Sequence, residues 1–459
     1  MTDLAVGPAA LPRHVTDWIA QVAGGRVISA ERRPGGGRRE AWVVDVAAPG
    51  GTPEPLFLRY DRSDPRVTGD PFTLHREARF YLALQDSAVP VPRVVGVHGT
   101  EQAILSERVA GETWFSRLRD EEARLAVARE FMGILATLHT LDPSTLTLPG
   151  ETQPADTREA AEREIDVWER LYRFGDSPAD PMIEFGLDWL RRNVPPASGP
   201  VVIVQGDTGP GNFLYASGRV TAVLDWELGH WGDPMDDLGW LALRAVQEPF
   251  TRLADRLRDW ERHTGWQVDV GRVRYYRAFA ELRVVILGHR RGDNADVLGE
   301  VGNGLVYSQL HRQLFLEAMA DNLGLEVAAP SDLDAPATEE DWLYEAVAAQ
   351  IREIIVPRST DPFAVLRAKG LARIIKHLRQ VDRYRGVAAT SELADLQEML
   401  GAEVTTADEG RRLLAHRVRH GQADEREAFR YFSRRVARQS QLLRPAMGSL
   451  ADRHFEPLA

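Results

Sequence analysis

Three oxygen-bearing side chains stand close together in the middle of the chain. Asp207 follows the apolar run Val201-Val-Ile-Val204, Asn212 comes five positions later across a loop holding Gly209, Pro210 and Gly211, and Asp225 closes a second apolar run. A strand delivers Asp207 at its end. Two short strands, Phe213–Tyr215 and Arg219–Leu224, folding about Ser217-Gly218, make a hairpin that returns the chain to its start. Asn212 at its entry and Asp225 at its exit are then neighbours. Phosphoryl transfer needs hard oxygen donors that hold a metal ion such as Mg²⁺ on nucleotide phosphates. It also needs a carboxylate that positions an attacking hydroxyl and takes its proton. Asn212 and Asp225 can supply the metal ligands, and Asp207 the base. Any one of them alone would pass as a polar turn residue. In this order, with the acidic group Gly232-Asp-Pro-Met-Asp-Asp-Leu238 following, they point to catalysis.

The same residues resemble the aminoglycoside phosphotransferase family. The nearest branch includes the phosphotransferase-like domain joined to some acyl-CoA dehydrogenases. The likeness rests on Gln205-Gly206-Asp207, Asn212, Val223-Leu224-Asp225-Trp226-Glu227 and Gly232-Asp233-Pro234 with Asp237-Leu238, and covers about residues 26–325. It implies an α+β, bilobal protein-kinase-like fold: a small antiparallel-sheet N-lobe and a helical C-lobe, followed here by an all-α C-terminal domain. It implies Mg²⁺, ATP or GTP as phosphate donor, and a hydroxylated small molecule as acceptor. It also implies a phosphate-covering loop at Pro34–Glu40 and a cation at Arg59, where kinases carry lysine. A hinge is implied at Ser106–Gly111, where backbone groups around Glu107 and Val109 would pair with the adenine edge. The family usually has His where Gln205 stands. Gln still donates and accepts, so the loop scaffold is expected to survive.

The nucleotide side can also be read from the residues themselves. The only lysines are Lys369 and Lys376, so residues 1–368 hold no Walker-type lysine, no Schiff-base lysine and no catalytic lysine of any kind. A phosphate clamp there must use Arg or backbone amides, and Arg binds phosphate bidentately. Gly35, Gly36 and Gly37 permit close backbone approach, although a glycine-rich hairpin turn reads the same way. Glu77 shares a helical stripe with Leu74, Tyr81 and Leu84. A carboxylate on an apolar face needs a partner, and Arg59 is the natural one.

These residues need a scaffold of alternating and periodic segments. Residues 1–25 read as a lead-in helix. Residues 26–109 are strand-rich, interrupted by a helix near Pro71–Leu84, and form the nucleotide-binding N-lobe. Residues 110–326 are helical apart from the hairpin and form the catalytic and substrate-binding C-lobe, with residues 155–195 resembling the family's acceptor-site wall. Pro330 and Pro336 mark a linker at 327–338, and Thr338 is placed to cap the next helix. Residues 339–459 are helical and resemble domains of unknown function found beside such phosphotransferases. Leu371, Ile374, Ile375 and Leu378 share one face there, as do Phe429, Phe432 and Val436.

Composition narrows the function further. The net charge is -12, and the acidic excess lies in residues 1–330, which disfavours a nucleic-acid partner there. Cys is absent, which removes disulfides and thiolate chemistry and fits a cytoplasmic protein. No apolar run is long enough for a membrane span, and no secretory signal opens the chain. A homo-oligomer is compatible with the sequence. The reading is therefore a Mg²⁺- and nucleotide-dependent O-phosphotransferase acting on a metabolite, on a hydroxyacyl-type compound or on an antibiotic. The alternative is a catalytically silent nucleotide-binding regulator. Residues 155–195 carry no dense acidic comb of the kind a polycationic aminoglycoside would need.

Overall fold

The computed structural model describes residues 10–33, 39–47, 51–293, 299–331 and 333–458, without side chains at 290–293. Strands β1 (Arg26–Arg33), β2 (Glu40–Ala47), β3 (Glu54–Asp61), β4 (Val94–Val97) and β5 (Gln102–Glu107) form one antiparallel sheet in the order β1-β2-β3-β5-β4. With the helices that follow, this is the expected α+β class.

Period-two alternation divides β3 between two faces. Leu56, Leu58 and Tyr60 join Trp42, Val44 and Leu105 in a core closed by Val15 and Ile19 of the helix Arg13–Val22. Arg59 has the opposite parity and stands beside Ile104 in the register. Ile104 packs on Leu74 and Ala78 of the helix Leu74–Leu84. Arg59 therefore faces the helix that carries Glu77. That helix begins later than Pro71 because the Thr73 side chain accepts from the Arg76 amide and caps it.

The expected hairpin is present as β7 (Phe213–Ala216) and β8 (Arg219–Val223), which turn through Ser217 and Gly218 at φ 50° and 75°. Two positive φ values give a type I′ turn, whose twist matches that of the strands. β6 (Val202–Val204) stays apart from this hairpin and pairs antiparallel with β9 (His230–Gly232). β9 is too short to show a period, so the sequence reading passed over it.

The described chain forms two compact units. One comprises the described residues up to Pro154, with Pro200–Asp237 and Glu248–Val268; the other comprises Ala155–Gly199, Leu238–Gln247 and the residues from Asp269 on. The Pro-containing stretch 327–338 lies inside the second unit. There the Gln441 side chain clasps both backbone groups of Leu333, at 3.1 and 2.8 Å. Thr338 does not cap the following helix: its hydroxyl bonds Asp382 at 2.6 Å, and the helix Asp341–Gln350 starts without a side-chain cap. Within this unit Val306, Leu310 and Leu314 of the helix Val301–Leu323 share a core with Leu443, Ala446 and Met447 of the helix Glu425–Met447. No described helix is long and apolar enough to cross a membrane.

Phe429, Phe432 and Val436 are buried, as their shared face implies. The Phe432 ring lies 5.4 Å from that of Phe185 on the helix Pro181–Arg192. Phe432→Ala should therefore destabilise the second unit by about 3–5 kcal/mol, the cost of a large aromatic deleted from a packed core. A chemical denaturation midpoint unchanged from wild type would show that this contact holds nothing together.

Candidate active site

Everything described next lies in the first unit. A buried carboxylate organises it. Asp237 is 0% exposed, and its two oxygens accept from the amides of Gln205 and Gly206, each at 2.9 Å. They also accept from the Thr208 hydroxyl and from His139 Nε2, the latter at 3.0 Å. Trp260 Nε1 donates to His139 Nδ1 at 3.0 Å. An indole can only donate, so Nδ1 is the accepting nitrogen and Nε2 carries the proton given to Asp237. The loop that presents Asp207 thus hangs from one carboxylate. Gly206 is required at the sharpest point of that loop: φ is +80°, and a Cβ there would lie 2.4 Å from Leu228 O.

Gln205 joins the loop to the hairpin exit. Its Nε2 donates to the carbonyls of Leu224 and Asp225, each at 2.9 Å. Its Oε1 accepts from the Asp207 amide at 3.0 Å and lies 2.9 Å from the Thr208 hydroxyl, whose single proton it shares with Asp237. These are four contacts of one primary amide. An imidazole, with one nitrogen on each side, could not make them all.

The hairpin brings Asn212 and Asp225 together, as the spacing implied. Phe213 pairs with Val223, and the Leu224 amide donates to Asn212 O at 2.8 Å. Asn212 Nδ2 donates to Asp207 O at 2.7 Å, which presents its Oδ1 as the acceptor. Asp225 sits in the left-handed region at φ 60°, an uncommon conformation for a residue with a Cβ. The Tyr81 hydroxyl, from the helix that carries Glu77, accepts the Asp225 amide at 3.1 Å.

Arg59 links this region to the helix. Its Nη1 lies 2.6 Å from Glu77 Oε1 and 3.0 Å from Asp225 Oδ1, and its Nη2 lies 3.8 Å from Glu227 Oε2. Arg39 reaches Glu77 at 3.4 Å and also pairs with Glu227. Burial pushes the Glu77 carboxyl up to about 7, against the pull of Arg59 and Arg39. Burial works against the charge on Arg59, yet Glu77 and Asp225 hold its pKa well above the ordinary value.

The remaining expectations fall at the edges. Gly35, Gly36 and Gly37 lie outside the described residues. Glu107 ends β5 opposite Leu56, and its side chain accepts from the Arg93 amide at 3.0 Å. Val109 follows in an unpaired stretch before the bridge between Glu112 and Tyr215. Sequence reasoning missed Arg39, Tyr81 and His139 as members of the network. Arg39 stood in plain view two residues after Gly37. His139 on a buried helical face gives no signal by itself.

Comparison with known proteins is decisive at the family level. The model of the phosphotransferase enzyme family matches residues 32–274. The chain belongs to that family. Acyl-CoA dehydrogenase family member 11 of Rattus norvegicus is 30% identical over 181 residues, covering 37% of this chain and 23% of that protein. Its Gallus gallus counterpart is 30% identical over 176 residues, 36% of this chain and 22% of that protein. The chain thus spans less than a quarter of the length of these relatives. Among solved structures, a putative aminoglycoside phosphotransferase from Ralstonia eutropha has a TM-score of 0.47 at 23% identity, covering 62% of this chain and 90% of that one. A thermostable mutant of APH(4)-Ia, in ternary complex with AMP-PNP and hygromycin B, has a TM-score of 0.48 at 19% identity, covering 67% and 99%.

Two outcomes follow from the geometry of this phosphotransferase. Asp237→Asn puts an amide where four donors converge and leaves some of them unpaired. It should cost about 2–5 kcal/mol, since an orphaned buried donor costs about 1–3 kcal/mol. Urea unfolding measures it, and a change below the error of the method would remove Asp237 from its organising role. Glu77 has a folded pKa near 7, above its ordinary 4.5. Its contribution to stability is present below about pH 4.5 and is lost as pH rises through about 7. Glu77→Gln cannot titrate, so its thermal midpoint should vary less with pH across that window than that of wild type.

Proposed function

We propose that this phosphotransferase moves the γ-phosphoryl group of ATP or GTP to a hydroxyl of a small molecule, with Asp207 as the base. The observation that supports the reading best is the single guanidinium of Arg59, bonded at once to Glu77 and Asp225. It sets a candidate phosphate clamp and a candidate metal ligand side by side, each held by a different element.

Asn212 and Asp225 offer one amide oxygen and one carboxylate. That set suits Mg²⁺, which keeps several waters and takes one or two protein oxygens together with nucleotide phosphates. Among the described residues, no group of three or more His, Cys, Asp or Glu stands together so as to hold a metal ion. Mg²⁺ bound there would neutralise charge on the phosphates. Arg59 orients the phosphates, and Glu77 holds Arg59 in place. Backbone groups near Glu107 and Val109 take the base of the nucleotide. Asp207 accepts the proton of the acceptor hydroxyl as its oxygen bonds to phosphorus and the nucleoside diphosphate leaves. Hydroxyacyl compounds form the first acceptor panel, because relatives at 30% identity are named acyl-CoA dehydrogenase family members.

Asp207→Asn keeps the size and removes the charge. It should still bind Mg²⁺ and nucleotide but lose turnover by about 10²–10⁴, the usual worth of general-base help. Asp225→Ala should lose the Mg²⁺-dependent part of nucleotide affinity. Calorimetry and a coupled nucleoside-diphosphate assay over a panel of hydroxylated metabolites read both. Full turnover in Asp207→Asn would remove the base from the mechanism.

A further inference from the structure

The second unit contains a helical hairpin whose large apolar side chains the described residues leave exposed. A helical stretch runs from Asp341 through a widened turn at Ile351–Ile355 to Arg358, and the chain returns along the helix Pro362–Leu400. The two arms are antiparallel: Arg379 pairs with Asp341 at 2.7 Å and with Glu345, and Thr338 bonds Asp382. Leu371 and Leu378, which the sequence marks as one apolar stripe, are 55% and 41% exposed. On the first arm Trp342, Leu343, Val347 and Ile354 are exposed as well. Of the fifteen large apolar side chains exposed among the described residues, eight fall between 342 and 387. The helix Asp341–Gln350 has no buried residue at all. Scattered exposed apolar side chains are ordinary, whereas a run of them on one hairpin marks a contact surface.

Charge on the two arms selects the occupant. Residues 339–355 carry five acids and one base, whereas residues 362–381 carry five bases and no acid; with Asp341, Glu345 and Arg379 paired within the hairpin, three acids face four bases. Glu339, Glu340 and Glu353 on the first arm are exposed, as are Lys369 and Lys376 on the second. A two-fold axis parallel to the helices, between two such hairpins placed face to face, lays the acidic arm of each copy on the basic arm of the other. The surface is thus complementary to itself, as an isologous interface requires. Its size also fits. Eighteen helical residues are about 27 Å long and a helix pair about 20 Å wide, roughly 540 Å² in projection. Side-chain corrugation brings that to the order of the ~800 Å² that each partner buries in a standard interface. We propose that the hairpin 341–381 is a dimerisation surface whose partner is a second copy of this chain, docked acidic arm on basic arm.

Sedimentation velocity on the full chain over a concentration series tests this, with K369E/K376E and L371E/L378E alongside wild type. Wild type should form a dimer that saturates at twice the monomer mass. L371E/L378E should abolish it, and K369E/K376E should weaken it at least about tenfold, since each copy then sets two acids against the acidic arm of the other. Circular dichroism melts check the fold; should L371E/L378E unfold, K369E/K376E decides, because it changes only two exposed side chains. A wild type that stays monomeric at every concentration overturns the proposal, as does a dimer unaffected by K369E/K376E. A monomer that pellets with phosphatidylserine vesicles also overturns it and gives the face to a membrane surface instead.

Discussion

A carboxylate cannot be buried without donors, and at Asp237 those donors are the backbone of the loop that carries Asp207. Removing a charged oxygen from water is tolerable only when hydrogen bonds replace the lost hydration. Here the amides of Gln205 and Gly206, the Thr208 hydroxyl and His139 supply them. The requirement works in both directions: the loop satisfies the acid, and the acid gives the loop one conformation. Trp260 extends the network by fixing which nitrogen of His139 faces Asp237.

The second organising group is Gln205, which couples that loop to the hairpin. Its side chain reaches the carbonyls of Leu224 and Asp225, which flank the Asp225 Cα, and at the same time receives the Asp207 amide. One planar amide therefore ties the backbone at Asp207 to the backbone at Asp225. The left-handed backbone at Asp225 is kept in this uncommon region by bonds on both flanks, from Gln205 and to Tyr81. Local strain that persists because its surroundings over-determine it is a common property of functional sites. Gln205 holds both segments because a primary amide offers two donor hydrogens and a carbonyl, where an imidazole has only one nitrogen on each side.

The cluster around Glu77 follows a different logic. Two arginines share one fully buried carboxylate and the more accessible Asp225 and Glu227. A chain with no lysine before position 369 has to build its cationic centre from guanidinium groups. A guanidinium has several donors in a fixed plane, so a single Arg59 can hold a helix carboxylate and a hairpin carboxylate simultaneously.

The sequence alone located the candidate site residues and most of the scaffold that carries them. Asp207, Asn212 and Asp225 were legible because hairpin closure depends only on local spacing and on the Ser217-Gly218 turn. Arg59 and Glu77 were legible because strand parity and helical stripe are both short-range periodicities. Two features needed the tertiary structure. His139 and Trp260 lie 121 residues apart, and β6 pairs with β9 across the whole hairpin. No local period encodes either contact. Periodicity also marks an apolar face without naming what covers it. Phe429, Phe432 and Val436 are buried by the chain itself, while Leu371 and Leu378, with an equally good helical spacing, are not. The distinction depends on which long-range packing partners fill the available volume, and only the folded arrangement decides that.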